Sequence, residues 1–111
     1  MPAREFLGGF ELLVLLSVIR LEDEAYGVPI AAEIEGTSGR AVSLGSVYLT
    51  LDRLESKGLV RSQLGEATAV RGGRAKTYFQ ATAKGVSEAR AAQRTLTSLW
   101  RNLPQLEGGT P

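Results

Sequence analysis

The chain has 111 residues, which suits one domain with a single modest core and is too short for a cofactor domain joined to a catalytic domain. It contains no cysteine and no histidine, so disulfides, thiolate chemistry and the commonest general base and metal ligand are excluded. The net charge of +1 is unevenly distributed: residues 1–39 carry a net −5, residues 40–76 a net +4 and residues 77–111 a net +2. Positive charge in the middle third favours contact with a nucleic acid there.

Neither a membrane segment nor a catalytic centre is predicted. The longest apolar run, from Leu12 to Leu16, is far shorter than a membrane span, and the first nine residues lack the pattern of a secretory signal. The acidic residues fall mostly in the first third without forming a catalytic arrangement. We therefore expect a cytoplasmic protein that is not an enzyme, has no membrane contact and needs no metal or cofactor.

The first predicted helix runs from Phe6 to Leu21 and is apolar on most of its sides. Its apolar residues are too numerous for one narrow stripe: Phe6, Leu7, Phe10, Leu13, Val14, Val18 and Leu21. Such breadth suits a helix buried both against its own domain and against a partner.

A second helix is predicted after an acidic turn at residues 22–24. Its core-facing residues are Tyr26, Ile30, Ala31 and Ile34. Pro29 fits only if it lies in the first turn, where its missing N–H group has no helical partner to lose. Gly36 is expected to end this helix, and residues 36–42 to connect it to the next.

The third helix is predicted to begin after Ser43, which serves as its N-cap. Apolar residues recur along one face at Leu44, Val47, Leu51 and Leu54. Lys57 and Gly58 should close the helix, since a cation suits the last turn and glycine adopts the left-handed conformation beyond it.

The opposite face of this third helix carries groups that can read DNA. Ser46, Leu49 and Arg53 lie opposite the apolar stripe, with Thr50, Ser56 and Lys57 at its flanks. Arginine can bind guanine with two hydrogen bonds, hydroxyls reach base edges or phosphates, and an aliphatic group can touch a thymine methyl. Taken alone, the same face also fits an ordinary solvated surface helix.

A basic hairpin follows directly. Alternation at 59–64 and the aromatic stretch at 75–81 predict two short strands, and the loop at 65–74 contains two adjacent glycines. Arg71, Arg74 and Lys76 could bind a phosphate backbone or enter a minor groove. A basic glycine-rich loop is by itself more often a solvated turn, but behind a helix-turn-helix it indicates a wing.

The last predicted helix begins after the N-cap Thr82 and runs from Ala83 to about Leu103, ended by Pro104. Apolar residues recur along this helix and just beyond it with heptad-like spacing: Ala89, Ala92, Leu96, Leu99, Leu103 and Leu106. We interpret this stripe as a dimer seam, although it could instead pack on its own domain. Trp100 lies beside this stripe. We interpret its large amphipathic ring first as part of the dimer interface and second as a surface that could bind a ligand. From Gln105 onward the tail should be frayed.

These residues resemble the PadR-like transcriptional regulators, a family of bacterial winged-helix repressors. The resemblance covers roughly residues 6–100. Its motifs are Tyr26-Gly27 with Ile30, Gly45-Ser46-Val47-Tyr48 with Leu51, Arg53-Leu54-Glu55, Gly58-Leu59-Val60, Gly73-Arg74 with Lys76 and Tyr78, and Thr82 with Gly85. The single short C-terminal helix is similar to that of the compact branch of the family, and Pro29 departs from its usual pattern.

The resemblance implies a homodimeric, DNA-binding repressor whose C-terminal helix packs on the partner's N-terminal helix. Tyr48 is similar to the family's recognition-helix tyrosine, a candidate phosphate contact, and it fits a packed aromatic equally well. Some relatives bind phenolic compounds or drugs at the dimer interface, so a small aromatic effector near Trp100 is a further expectation.

The sequence thus predicts a mainly α fold with a small β-hairpin: a winged helix-turn-helix over 1–81, a C-terminal dimerisation helix over 82–104 and a flexible tail over 105–111. The candidate contacts to double-stranded DNA are Ser43, Ser46, Tyr48, Leu49, Arg53, Lys57, Arg71, Arg74 and Lys76. The candidate homodimer contacts are Phe6, Phe10, Leu13, Ala89, Ala92, Leu96, Leu99, Trp100 and Leu103. The expected function is repression from a pseudo-palindromic operator. The alternative is a winged-helix module that binds proteins and not DNA.

Overall fold

The computed structural model describes residues 7–65 and 76–106. Within them the order is helix α1 (Gly9–Leu21), a short 3-10 turn (Glu22–Glu24), α2 (Gly27–Ser38), α3 (Leu44–Ser56), strands β1 (Val60–Leu64) and β2 (Thr77–Ala81), and helix α4 (Ala83–Trp100). The predicted order of three helices, a hairpin and a final helix is confirmed, as is the mainly α winged-helix class. Arg71, Arg74 and Phe6 lie outside the described residues.

One apolar core holds these elements together. Helices α1, α2 and α3 supply most of it, and the hairpin and the start of α4 cover one side. Its buried residues are Val14, Leu15, Val18, Ala25, Ile30, Ala31, Ile34, Val47, Leu51, Leu54, Leu59, Val60, Phe79 and Ala89. No described helix is both long enough and apolar enough to cross a membrane.

Helix α2 begins as expected and ends later than expected. Pro29 is its third residue and therefore lies in the first turn. Gly36 does not end the helix, contrary to the sequence prediction. The helix continues to Ser38, and Gly39 terminates it in the left-handed conformation, with φ 76° and its N–H donating to the Glu35 carbonyl.

Helix α3 is capped as predicted, but two of its residues differ from the prediction in how far they are buried. The Ser43 hydroxyl accepts a hydrogen bond from the Ser46 N–H at 3.0 Å, and Gly58 follows the helix with φ 77°. Leu44 was expected in the core, yet it is 44% exposed: it is the first residue of α3, one turn before the fully buried Val47. Thr50, expected at the flank of the exposed face, is buried instead.

The hairpin is tied to the helices by its backbone. Strands β1 and β2 pair antiparallel, with a register from Val60 opposite Ala81 to Leu64 opposite Thr77. On its other edge β2 meets the connection before α2, where the Phe79 N–H donates to the Ala25 carbonyl at 2.8 Å. The strand is therefore held on both sides, which fixes the hairpin against the three-helix core.

Helix α4 starts against the end of α3. The Thr82 hydroxyl accepts from the Gly85 N–H at 3.0 Å and donates to the Gly58 carbonyl at 2.7 Å, and Gly85 packs directly on the Leu59 backbone. The helix ends at Trp100 and not near Leu103. Because Arg101 has an extended backbone and Asn102 has φ 58°, the chain leaves the helix before Pro104.

Candidate nucleic-acid interface

The face of α3 opposite the core is open to solvent. Ser46, Leu49 and Arg53, which the sequence assigned to this face, are exposed, and Leu49 is 54% exposed. Gly45 and Asp52, which the sequence analysis did not select, are exposed on the same side of the helix. The face therefore offers one cation, one carboxylate, a hydroxyl and an aliphatic group.

At the N-terminus of α3 two hydroxyls lie next to each other. Besides capping the helix, the Ser43 hydroxyl donates to the Ser46 hydroxyl at 2.9 Å. Because Ser43 uses its hydrogen in this bond, the hydrogen of the Ser46 hydroxyl remains available for an acceptor outside the protein. Both side chains are exposed, as a contact to DNA requires.

Tyr48 combines the two roles that the sequence left open. Its ring lies against Gly27 at the start of α2, so closely that a Cβ atom on Gly27 would overlap the ring and its hydroxyl. Yet Tyr48 is 41% exposed. The tyrosine therefore packs two helices together while leaving one edge in solvent, and the Tyr26-Gly27 motif is explained by the space that Tyr48 occupies.

Lys57 is bound within the protein. Its ammonium lies 3.0 Å from both carboxylate oxygens of Glu11, in the first turn of α1. Burial raises the pKa of Glu11, but the hydrogen bonds from Lys57 and from the Gly8 N–H, together with the charges of Lys57 and Arg53, outweigh it, so this pKa lies below its ordinary value. Because this ion pair occupies the Lys57 ammonium, Lys57 is not among the proposed DNA contacts.

The base of the hairpin carries an aromatic cluster around Lys76. The Lys76 ammonium lies 4.6 Å from the centre of the Tyr26 ring and 3.4 Å from its hydroxyl. Tyr26 in turn meets Tyr78 edge to face, with ring centres 5.3 Å apart. Tyr78 covers Gly65, where a Cβ atom would collide with the ring. Tyr26, expected in the core, is half-buried and orients this cation.

Glu55 connects α3 to the hairpin, a role that sequence analysis missed. Its carboxylate accepts hydrogen bonds from the Ser62 hydroxyl at 2.8 Å and from the Ser62 N–H at 3.3 Å. The bond ties β1 to the last turn of α3. The hairpin therefore keeps a fixed orientation relative to the exposed face of α3.

The candidate dimer residues divide into exposed and core groups. Five of them are exposed: Leu13, Leu96, Leu99, Trp100 and Leu103. Phe10 and Ala92 are half-buried, and Phe10 packs on the core. Ala89 is buried in the core of its own chain, so we leave it out of the proposed seam. Leu103 lies beyond the end of α4.

The model of the transcriptional regulator PadR-like family matches residues 15–91. These residues make up most of the chain and include the second half of α1, all of α2 and α3, both strands and the first half of α4. The chain belongs to the PadR-like family. No curated protein matches it.

Several solved structures have the same fold as this chain. A PadR-like transcription factor from Bacteroides fragilis is 23% identical over 81% of this chain and 82% of its own, with a TM-score of 0.69. A PadR family regulator from a hypervirulent Clostridium difficile is 26% identical over 83% and 91%, with a TM-score of 0.65. The hsRosR protein, in its S1 complex, is 28% identical over 84% and 75%, with a TM-score of 0.63.

Family membership establishes the general function. This PadR-like protein is a DNA-binding transcription regulator and not an enzyme. The family assignment favours DNA over a protein as the partner of the winged helix.

Proposed function

We propose that this chain is a homodimeric repressor that places α3 in the major groove of a pseudo-palindromic operator and the hairpin on the adjacent backbone. One relationship carries the proposal: Lys76 contacts Tyr26, and the next residue, Gly27, contacts Tyr48 of α3. The cation at the base of the hairpin and the exposed face of α3 thus flank the N-terminus of α2. One duplex could touch all of these groups.

The proposed contacts separate into anchoring and reading groups. Arg71, Arg74 and Lys76 would bind phosphates, and Tyr48 would add a neutral hydroxyl contact to the backbone. Ser43, whose hydrogen is bonded to Ser46, would hold the Ser46 hydroxyl toward the DNA. The reading groups would be Ser46, Leu49 and Arg53, all exposed on α3. Phosphate contacts fix the register of the protein on the duplex, and base contacts provide the specificity.

Dimerisation is proposed from the apolar surface that one chain leaves in water. On α1 the exposed residues are Leu13, Leu16 and Ile19, and on α4 they are Leu96, Leu99 and Trp100. Leu99 and Trp100 are 67% and 61% exposed. Packing α4 on the partner's α1, as the PadR-like resemblance implies, would bury both sets. Two-fold symmetry would then require a pseudo-palindromic operator.

Regulation by a small aromatic effector is proposed for the same end of α4. A cavity of ≈ 370 Å³ beside Trp100 is lined by Leu96, Thr97 and Arg101. An effector that releases DNA must bind the conformation without DNA more tightly. Planar aromatic compounds should quench the emission of Trp100, the only tryptophan in the chain, and raise the Kd for operator together. Quenching without a change in Kd would argue against an effector site.

The proposal is tested by DNA binding and stoichiometry. The protein is titrated into fluorescent fragments of the source genome at low and high salt, and bound fragments are selected and sequenced. Two chains per duplex, binding that weakens with salt, and a recurring inverted repeat are expected. A reporter downstream of that repeat should fall in the presence of the protein if it acts as a cytoplasmic repressor. A single chain per site, or a rise in the reporter, would contradict the dimer or the repressor role respectively.

A further inference from the structure

Gly45 is a glycine for which the described protein supplies no packing reason. At Gly27 and Gly85 a Cβ atom would collide with Tyr48 or with the Leu59 backbone. At Gly45 an added Cβ would meet only the Ser43 hydroxyl, at 4.0 Å, and the backbone is helical. Since glycine is a poor helix former, alanine would fit this position better on the grounds of the fold alone. Gly36 in α2 is equally open, but Gly45 lies on the exposed face of α3 that is proposed to dock on DNA, so the open space at Gly45 points to a ligand outside the protein.

Leu49 borders this open space. Residues four apart lie on the same side of a helix, about 6 Å apart along its axis, so Gly45 and Leu49 form a shallow notch with one apolar wall. Leu49 is 54% exposed, and the neighbouring Tyr48 and Leu44 are partly exposed. A ligand in this notch should therefore present an apolar group of about the size of a methyl.

We propose that the notch formed by Gly45 and Leu49 receives the C5 methyl group of an operator thymine. The inference rests on the proposed docking of α3 in the major groove, where the thymine methyl is the distinctive apolar group that a base presents. Arg53 lies four residues beyond Leu49, again about 6 Å along the helix, or about two base-pair steps. A guanine read by Arg53 should therefore lie within about two base pairs of this thymine.

Deoxyuridine tests the inference, since it removes the methyl group and leaves the hydrogen-bonding pattern unchanged. Each thymine of the selected operator is replaced in turn, and Kd is measured by fluorescence anisotropy with the full-length dimer. We expect one position in each half-site to weaken binding about fourfold, the loss for one buried methyl. Leu49→Ala should bind uracil and thymine operators equally, because the apolar wall is gone.

Gly45→Ala separates DNA recognition from folding. The added methyl group fills the notch and, among the described residues, makes only an ordinary contact with the Ser43 hydroxyl, so this variant should unfold at the same or a higher temperature than wild type. Its operator affinity should nevertheless fall, and its preference for thymine over uracil should disappear. Gly36→Ala, the same change at an exposed glycine of α2 outside the proposed DNA and dimer contacts, is the matched control and should keep the preference.

The possible failures can be told apart. Sequence-specific binding with no sensitivity to uracil at any position would overturn the notch alone. Equal loss of affinity by Gly45→Ala for every duplex, with the uracil effect intact, would also overturn it and assign Gly45 to close approach of the backbone. Absence of salt-dependent DNA binding would overturn the proposed docking and the notch with it.

Discussion

The Lys57 ammonium lies 3.0 Å from the Glu11 carboxylate and joins the end of α3 to the first turn of α1. The contact spans 46 residues of sequence. It holds the C-terminal end of α3 against the helix proposed to carry the dimer interface. Glu11 is mostly buried, so the ion pair is largely shielded from solvent and helps to hold α3 on α1.

Glu11→Gln should lower the free energy of unfolding by about 1 to 2 kcal/mol at pH 7, because Lys57 loses a charged hydrogen-bond partner. Folding lowers the pKa of Glu11. The stabilisation that Glu11 provides is therefore fully present above about pH 4.5, its ordinary pKa, and is lost as the pH falls through the lower pKa of the folded protein. Urea unfolding at fixed protein concentration, from pH 7 to 3, measures both effects. Glu35→Gln, on the exposed side of α2, is the control and should change little.

The packing of Tyr48 on Gly27 predicts opposite effects for two alanine substitutions in α2. Gly27→Ala forces the ring away and should cost about 1 to 3 kcal/mol of stability. Gly36→Ala adds a methyl group where no atom lies within 4 Å, and it should stabilise the helix by about 0.5 to 1 kcal/mol. Thermal unfolding of the two variants checks the pair. A stable Gly27→Ala would show that Tyr48 is not held as described.

Local signals allowed most of the fold to be predicted. Ser43, Gly58 and Thr82 act through neighbours within a few residues, so their capping roles could be inferred from sequence. The alternation in β1 and the aromatic residues of β2 likewise predicted the hairpin. The exposed face of α3 could be predicted because the apolar residues of this helix recur with a period of 3.6 residues.

The features that were missed depend on contacts distant in sequence. The partner of Lys57 lies on another helix, and the bond from Phe79 to Ala25 joins the hairpin to the connection before α2. Leu44 lies on the same face of α3 as the buried Val47, so the periodicity of the helix did not reveal its exposure. The open space at Gly45 could be recognised only once the surroundings of every described glycine were known.

The exposed apolar residues of α4 predict a dimer that a carboxylate introduced into the interface would weaken. Leu96→Glu or Leu99→Glu would place a carboxylate in the proposed seam, where burial without a partner is unfavourable. Sedimentation at micromolar concentration should show the wild type as a dimer and both variants shifted toward monomer. Ser98→Glu, on the other side of α4, should remain dimeric. If both glutamate variants sediment as unperturbed dimers, these residues do not form the dimer interface.

Arg74, outside the described residues, should act as a phosphate anchor. Arg74→Ala is expected to weaken binding to all duplexes about equally and to lower the slope of log Kd against log salt concentration by about one, since one counterion fewer is released. Anisotropy titrations with operator and scrambled duplex over a range of salt measure this. A loss restricted to the operator would identify Arg74 as a base contact.

The most direct test of the central proposal, that the exposed face of α3 reads the operator, is the specificity ratio of Arg53→Ala. The ratio of Kd for a scrambled duplex to Kd for the selected operator is measured at one salt concentration for wild type, Arg53→Ala and the control Arg90→Ala on α4. We predict that Arg53→Ala loses about 1 to 3 kcal/mol of discrimination and relaxes the preference at one base pair, while Arg90→Ala keeps the wild-type ratio. An unchanged ratio for Arg53→Ala, with only its salt dependence altered, would contradict base reading by this arginine and place it on the phosphate backbone.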